Sequence, residues 1–232
     1  MILGTICARG GSKGVPRKAM REMAGWPLIY HTMWNALKCK TLDDVVLSTD
    51  DKEIARYCAP TIFAQMRPAE LATDTASKWD VFRYIAKQNN LQPDDILVDL
   101  DIGCPLRAPE DITACVEKLQ ASATKWWPVY DVVATAYESD RNPYFNMVEG
   151  DDYNHYVVGD GEYKQEITRR QDAPHVWSLS PAVFAISVRA LFEYSHWSMV
   201  DRMGIVVIPR ERAWDIDTPL DFEVVEFLMR RK

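Results

Sequence analysis

No apolar run in this sequence approaches the roughly 20 residues of a membrane-spanning helix. The apolar start, Ile2 to Ala8, is short and leads straight into charge, so it reads as neither a leader peptide nor an anchor. Cysteine is sparse. Cys7, Cys39, Cys58, Cys104 and Cys115 are odd in number and contain no Cys-x-x-Cys, which suits reduced thiols in a cytoplasmic protein better than a disulfide frame. His31, His155, His175 and His196 are scattered without zinc-ligand spacing. The sequence shows no internal repeat, low-complexity tract or linker. Basic residues are in deficit, and the net charge of -7 argues against a general binder of nucleic acid or membrane surfaces. What is present, 47% hydrophobic and 26% charged residues over 232 positions, suits one α/β domain spanning 1–232.

Acid is also missing locally: no Asp or Glu occurs before Glu22. In that acid-free start an apolar strand runs into Ala8-Arg9-Gly10-Gly11-Ser12-Lys13-Gly14-Val15-Pro16-Arg17-Lys18, with Arg21 just beyond. Glycines let backbone N–H groups approach an anion, and the cations add charge, so the loop suits phosphate. The alternative is a solvated basic turn. The loop lacks the Gly-x-x-x-x-Gly-Lys-Ser/Thr of a P-loop and the Gly-x-Gly-x-x-Gly of a dinucleotide site, and Pro16 delays any following helix.

Along the chain, strands and helices alternate. The patterns predict helices over Pro27 to Lys38, Asp51 to Cys58 (with Asp50 or Asp51 as cap), Ser77 to about Asn89, Pro109 to about Ser122 and Leu220 to Met229. Strands are predicted at Val45 to Asp50, Thr61 to Ala64, Asp95 to Leu100, Val132 to Tyr137, Val183 to Val188 and Ile205 to Ile208. This alternation signifies a mostly parallel sheet flanked by helices, whose ligands bind at strand carboxyl ends. The basic loop, Asp50, Asp99 and Asp101 all fall there. From Arg141 to about Ile167 the pattern becomes β-rich, with turns at Gly150-Asp151 and Gly159-Asp160-Gly161. Its apolar side is either a subunit interface or packs on its own sheet.

Three further clusters carry chemistry. Asp215-Ile216-Asp217 puts two carboxylates on one side of an extended segment, which suits Mg²⁺; the alternative is an N-cap at Asp217 for the closing helix. Asp99 and Asp101 can meet a metal from the opposite side or help deprotonate a hydroxyl, the alternative being a strand end paired with Arg107. Arg169-Arg170 can hold a carboxylate in a bidentate grip, although composition alone favours a surface ion pair.

The loop from Ala8 to Lys18 resembles the signature of the sialic-acid cytidylyltransferases, or CMP-nonulosonate synthetases. Arg67-Pro68-Ala69-Glu70-Leu71-Ala72-Thr73-Asp74-Thr75, Pro105-Leu106-Arg107, Arg170-Gln171 with Pro174, and Asp215-Ile216-Asp217 with Leu220-Asp221 resemble later family motifs in the same order. Thr5 to Arg9, Asp99-Leu100-Asp101 and Arg141 to Asn146 look most like the branch that activates legionaminic acid. The resemblance implies a Rossmann-like nucleotidyltransferase fold with a β-rich dimerisation arm at about 141–167. It implies that a sugar's anomeric hydroxyl attacks the α-phosphate of CTP and releases pyrophosphate. By resemblance, Ala8, Arg9, Gly10, Gly11, Ser12, Lys13, Lys18, Arg67 and Ser77 bind CTP. Asp101, Arg107, Arg170 and Gln171 face the acidic sugar, and Asp215 and Asp217 hold Mg²⁺. Arg9, Lys18, Asp101 and Asp217 are the implied catalytic set. The family's Asn after the second loop lysine is Ala19 here, its Gln-Pro-Thr-Ser is Asp101-Ile102-Gly103-Cys104, and its Asn-Gly pair is Ser180-Pro181. These departures lead to an expected acceptor other than plain N-acetylneuraminic acid. The alternatives are an eight-carbon keto acid acceptor or a nucleotide-binding protein that has lost catalysis.

Overall fold

The computed structural model describes residues 1–121, 129–150, 155–157 and 167–231. Its strands are β1 (Ile2–Cys7), β2 (Glu22–Met23), β3 (Trp26–Pro27), β4 (Asp44–Thr49), β5 (Phe63–Met66), β6 (Ile96–Asp99), β7 (Val132–Glu138), β8 (Val148–Gly150), β9 (His155–Val157), β10 (Trp177–Ser187) and β11 (Met203–Val207). The helices are α1 (Leu28–Lys38), α2 (Lys52–Cys58), α3 (Lys78–Gln88), α4 (Pro109–Ala121), α5 (Val188–Glu193) and α6 (Pro219–Arg230).

Seven strands form one sheet in the order β11-β7-β10-β6-β1-β4-β5. β1 pairs in parallel with β4 and β6, β4 with β5, and β7 with β11. β10 runs antiparallel to both β6 and β7, so it alone opposes its neighbours and the sheet is mixed. Side chains alternate across the sheet. Ile96 and Val98 face the layer of α1, α2 and α4, whereas Leu97 faces α3 and α5. Asp99 shares the parity of Leu97 and so looks toward α3. A third cluster, with Val15, Met23, Leu28, Ile216 and Phe222, packs α6 beneath the basic loop.

Local chemistry explains where α2 and α6 begin. Asp51 caps α2, accepting from the N–H groups of Glu53 and Ile54 at 2.7 and 3.2 Å. Thr218 caps α6 in a capping box with Asp221, so the predicted cap at Asp217 moves one residue on.

Other expectations are corrected. The strand predicted at Thr61 to Ala64 lies at Phe63–Met66. β10 begins at Trp177, well before Val183, and Val188 opens α5. Pro181 hides the early half of that strand, since proline has no N–H for a ladder. A register shift between Ser180 and Phe184 accommodates it. There the Thr135 hydroxyl donates to the Ser180 carbonyl and accepts from the Val183 N–H. In the arm, β8 and β9 form an antiparallel pair. Asn142 to Asn146 is instead a turn held by Asn142, which accepts from the Tyr144 N–H and donates to the Pro174 carbonyl. The turn at Gly159-Asp160-Gly161, and Asp151 of the other, lie outside the described residues.

Candidate active site

The carboxyl ends of β1, β4 and β6 meet on one edge of the sheet. β1 delivers the basic loop, and the Gly10 N–H donates to Asp50 beyond β4 at 3.1 Å. Gly11 is open, with nothing near the position of a Cβ. Gly14 is required by contact: a Cβ there would lie 2.0 Å from the Asp217 carbonyl oxygen. That approach presses the loop onto the segment carrying Asp215 and Asp217.

The loop's cations have separate partners. Arg17, in left-handed conformation at φ 57°, pairs with Asp51 and Glu53 at the start of α2. Arg21 lies over the Phe222 ring at 4.3 Å. Lys18 donates to the Ile216 carbonyl at 2.7 Å, and its nitrogen is 4.0 Å from Asp217. Arg9 and Lys13 both reach Asp74, at 2.8 and 2.6 Å. The Lys13 hydrogen bond chiefly holds the Asp74 carboxyl below its usual range. Ala19 is buried in the core, so this departure from the family loop is a packing position.

Below the loop is a cavity of about 260 Å³ whose walls include Cys7, Arg9, Arg67, Asp74, Lys78 and Asp101. Lys78 was not singled out in the sequence. It stands in the first turn of α3 and lies 2.7 Å from both Asp99 and Asp101. Burial opposes the Lys78 charge, but Asp101 and Asp99 outweigh it and hold the ammonium well above its usual pKa. Burial likewise opposes ionisation of Asp101, yet Lys78 and the Gly103 N–H pull its carboxyl far below the usual range. Asp101 thereby anchors Lys78 over the strand end. Burial raises Asp99. One sequence signal pointed to Lys78: a cation opposes the dipole at a helix start and calls for acidic partners.

Asp215 is half-buried beside Asp101. A Cβ at Gly103 would sit 2.1 Å from an Asp215 oxygen and 3.3 Å from an Asp101 oxygen, so glycine makes room for both acids. Burial, then repulsion from Asp101 and Asp217, pushes Asp215 up to about 6. This acidic cluster lacks full compensation, and its hard oxygen donors fit a divalent cation such as Mg²⁺. Among the described residues, no three Asp, Glu, His or Cys side chains close on one ion, so phosphate oxygens and water would complete the coordination.

Several expected site residues have other surroundings. Arg107 is 1% exposed and donates to the carbonyls of Ala182 and Asp101 and to the Thr32 hydroxyl, which braces the strand end from inside. It is also not the partner of Asp99, a role taken by Lys78. The Ser77 hydroxyl caps α3 by accepting from the Trp79 N–H, while its neighbours Ala76 and Lys78 line the cavity. Arg169 pairs with Asp172. Arg170 and Gln171 border a different cavity, of about 360 Å³, with Glu138, Asn142 and His175.

A cationic, glycine-rich loop facing carboxylates across the strand ends of an α/β sheet defines a nucleotidyltransferase type of protein. The chain belongs to the cytidylyltransferase family, whose model matches residues 3–178, and it is an enzyme of that family. It is 34% identical to CMP-N,N'-diacetyllegionaminic acid synthase of Campylobacter jejuni, over all of this chain and 96% of that protein. It is 33% identical, with the same coverage, to post-translational flagellin modification protein B of Campylobacter coli. Among solved structures, CMP:2-keto-3-deoxy-manno-octonic acid synthetase with CTP superposes with a TM-score of 0.72 at 19% identity, covering 99% of this chain and 98% of that one. That likeness speaks for the fold.

Proposed function

We propose that the protein transfers CMP from CTP to the anomeric hydroxyl of a nine-carbon α-keto acid sugar of the legionaminic or sialic type. The observation that carries this reading is the meeting of the Arg9–Lys18 loop with Asp215 and Asp217, supported by the full-length relatives. The acceptor hydroxyl loses its proton to solvent as its oxygen forms a bond to the α-phosphorus, the bond to the β-phosphate oxygen breaks, and pyrophosphate leaves. Such a transfer needs charge neutralisation and in-line positioning. The loop N–H groups with Arg9, Ser12, Lys13 and Lys18 hold the triphosphate, and Arg67 walls the nucleotide cavity. Asp215 and Asp217 would hold Mg²⁺, which when bound neutralises phosphate charge. Lys78 keeps Asp99 and Asp101 fixed at the acceptor side.

In this reading the enzyme is a cytoplasmic homodimer joined through the arm around 141–167. Support comes from Val148, 60% exposed on a hairpin that pairs only with itself among the described residues.

Pyrophosphate release with each of four nucleoside triphosphates and a panel of nine- and eight-carbon keto acid sugars tests the reaction. Release should need CTP and a nine-carbon acid, and EDTA should abolish it. Equal use of all four triphosphates, or of the eight-carbon acid alone, would overturn the reading.

A further inference from the structure

The layer of α1 and α2 carries an aromatic surface that the site at the strand ends does not use. Trp26, Tyr30 and Trp34 follow one another at four-residue spacing, about one turn apart, along β3 and α1. Trp26 stacks on Tyr30 with ring centroids 4.6 Å apart and planes inclined by 19°. Tyr30 stacks on Trp34 at 6.0 Å and 16°. Lys38, one turn further on, sets its ammonium 4.4 Å from the Trp34 ring centroid. Trp26 and Trp34 are nevertheless 52% and 47% exposed, and Leu37 is 48% exposed. Beside this ladder a groove of about 340 Å³ lies between α1 and α2, walled by Tyr30, Met33, Trp34, Leu37, Tyr57 and Thr61.

The stacking limits what this surface can take. Tyr30 lies between the rings of Trp26 and Trp34, and Trp34 lies between Tyr30 and the Lys38 ammonium. A nucleobase or sugar needs an open ring face, whereas this ladder offers mainly ring edges. Edges fixed in a row suit apolar side chains, and rings already held lose little rotamer freedom on docking. Charge around the groove is one-sided. Lys38, Lys40 and Arg56, the last adjoining Tyr57 in sequence, are exposed and have no carboxylate partner among the described residues. The acids nearby in sequence are engaged elsewhere. Glu53 pairs with Arg17, Asp43 accepts from the Ile2 N–H and Asp44 accepts from the Val45 N–H. Glu22 lies opposite Pro27, at the other end of the ladder. In a chain of net charge -7, three uncompensated cations at one apolar groove mark a place for an anionic partner.

We propose that the groove between α1 and α2 docks an acidic amphipathic helix of a partner protein. Its apolar face packs against the Tyr30–Trp34 ladder and Leu37, and its carboxylates meet Lys38, Lys40 and Arg56. The inference goes beyond the CMP-transfer reading and does not depend on it. The four-residue repeat of the ladder explains the choice of a helix, because a partner helix presents its anchors at the same rise per turn. A second copy of this chain fits less well: two such faces brought together would set like cations against each other. An anionic bilayer fits less well too, since the net charge of -7 is repelled by it.

The test uses two synthetic helical peptides of about 18 residues, each with leucine at i, i+4 and i+7. They differ only in flanking positions, glutamate in one and lysine in the other. Calorimetry on the full chain should show the glutamate peptide binding at least about tenfold more tightly than the lysine peptide. Trp34→Ala should weaken the glutamate peptide by at least about tenfold, the scale of an aromatic anchor. The double variant Lys38→Glu with Lys40→Glu should remove the preference for glutamate while keeping an intact Trp34. Both changes are on the surface, and circular dichroism should show the wild-type fold in each. No binding of the glutamate peptide, equal binding of the two peptides, or binding unchanged in Trp34→Ala would overturn the proposal. Sedimentation and flotation with phosphatidylglycerol vesicles close the other routes. A loss of mass or of vesicle binding in Trp34→Ala would assign the ladder to a second copy or to lipid, and either result would also overturn it.

Discussion

Lys78 stands where peptide dipoles repel a cation, in the first turn of α3, and two carboxylates at 2.7 Å hold it there. Removing the ammonium leaves Asp99 and Asp101 facing each other without compensation. Lys78→Met should therefore lower kcat/KM for the acceptor by about 10²-fold, with Lys78→Arg recovering part of it. Steady-state kinetics with either substrate varied separates this from a general loss of fold. Asp215 makes an opposite case. Its carboxyl titrates near 6 in the folded protein against the usual 3.8, so the folded state binds this proton more tightly than the unfolded chain. The group therefore stabilises the fold most below the unfolded value, and that contribution is lost as pH rises toward 6. In EDTA, Asp215→Asn should raise stability at pH 7.5 by about 2 kcal/mol and change it little at pH 4. Thermal melts at the two pH values check this, and turnover should be lost in the same variant. At this scale, the acids and loop cations were legible because glycine, charge and spacing mark them in one dimension. Lys78 and the burial of Arg107 were not, since both depend on which strand ends come together.

At the scale of elements, contact between two loops matters more than either alone. Gly14 and the Asp217 carbonyl touch so closely that Gly14→Ala must separate the phosphate loop from the acidic segment. CTP affinity should fall at least tenfold, read by calorimetry, on the precedent that small misplacements in such sites are severe. Ser77→Ala should lower stability by about 1 kcal/mol through the lost cap and leave the KM for CTP within about twofold. A large rise in that KM would support the nucleotide role expected of Ser77. Helices such as α1 and α4 were readable from periodicity and capping, as were the short parallel strands. β10 was not, because Pro181 breaks the local pattern and the Thr135 hydroxyl, 45 residues from Ser180 in sequence, helps make the interruption tolerable. The hairpin β2–β3 was missed for a similar reason: its turn uses Ala24 at φ 49° and Gly25 at φ 88°, without the Asn-Gly or Asp-Gly that announces such turns.

For the whole molecule, the net charge of -7 sets the background against which an anionic nucleotide must be gathered. In the proposed reaction the local cations of the loop would do this work at short range, where solvent ions screen them least. The exposed hairpin bears on assembly. Sedimentation should give twice the mass of one chain, and replacing Val148 and Met147 with serine should give the mass of one chain while α/β secondary structure persists by circular dichroism. A single-chain mass for the unaltered protein would remove the arm from the assembly.

Asp74 holds both Arg9 and Lys13. The loop thus carries a tethered counterion, and under the proposed function triphosphate entry would be an exchange of one anion for another rather than the filling of bare positive charge. An exchange releases fewer small ions from solution, so affinity for CTP should depend only shallowly on salt concentration. Asp74→Asn turns the exchange into simple association, with a steeper slope in salt and tighter binding at low ionic strength.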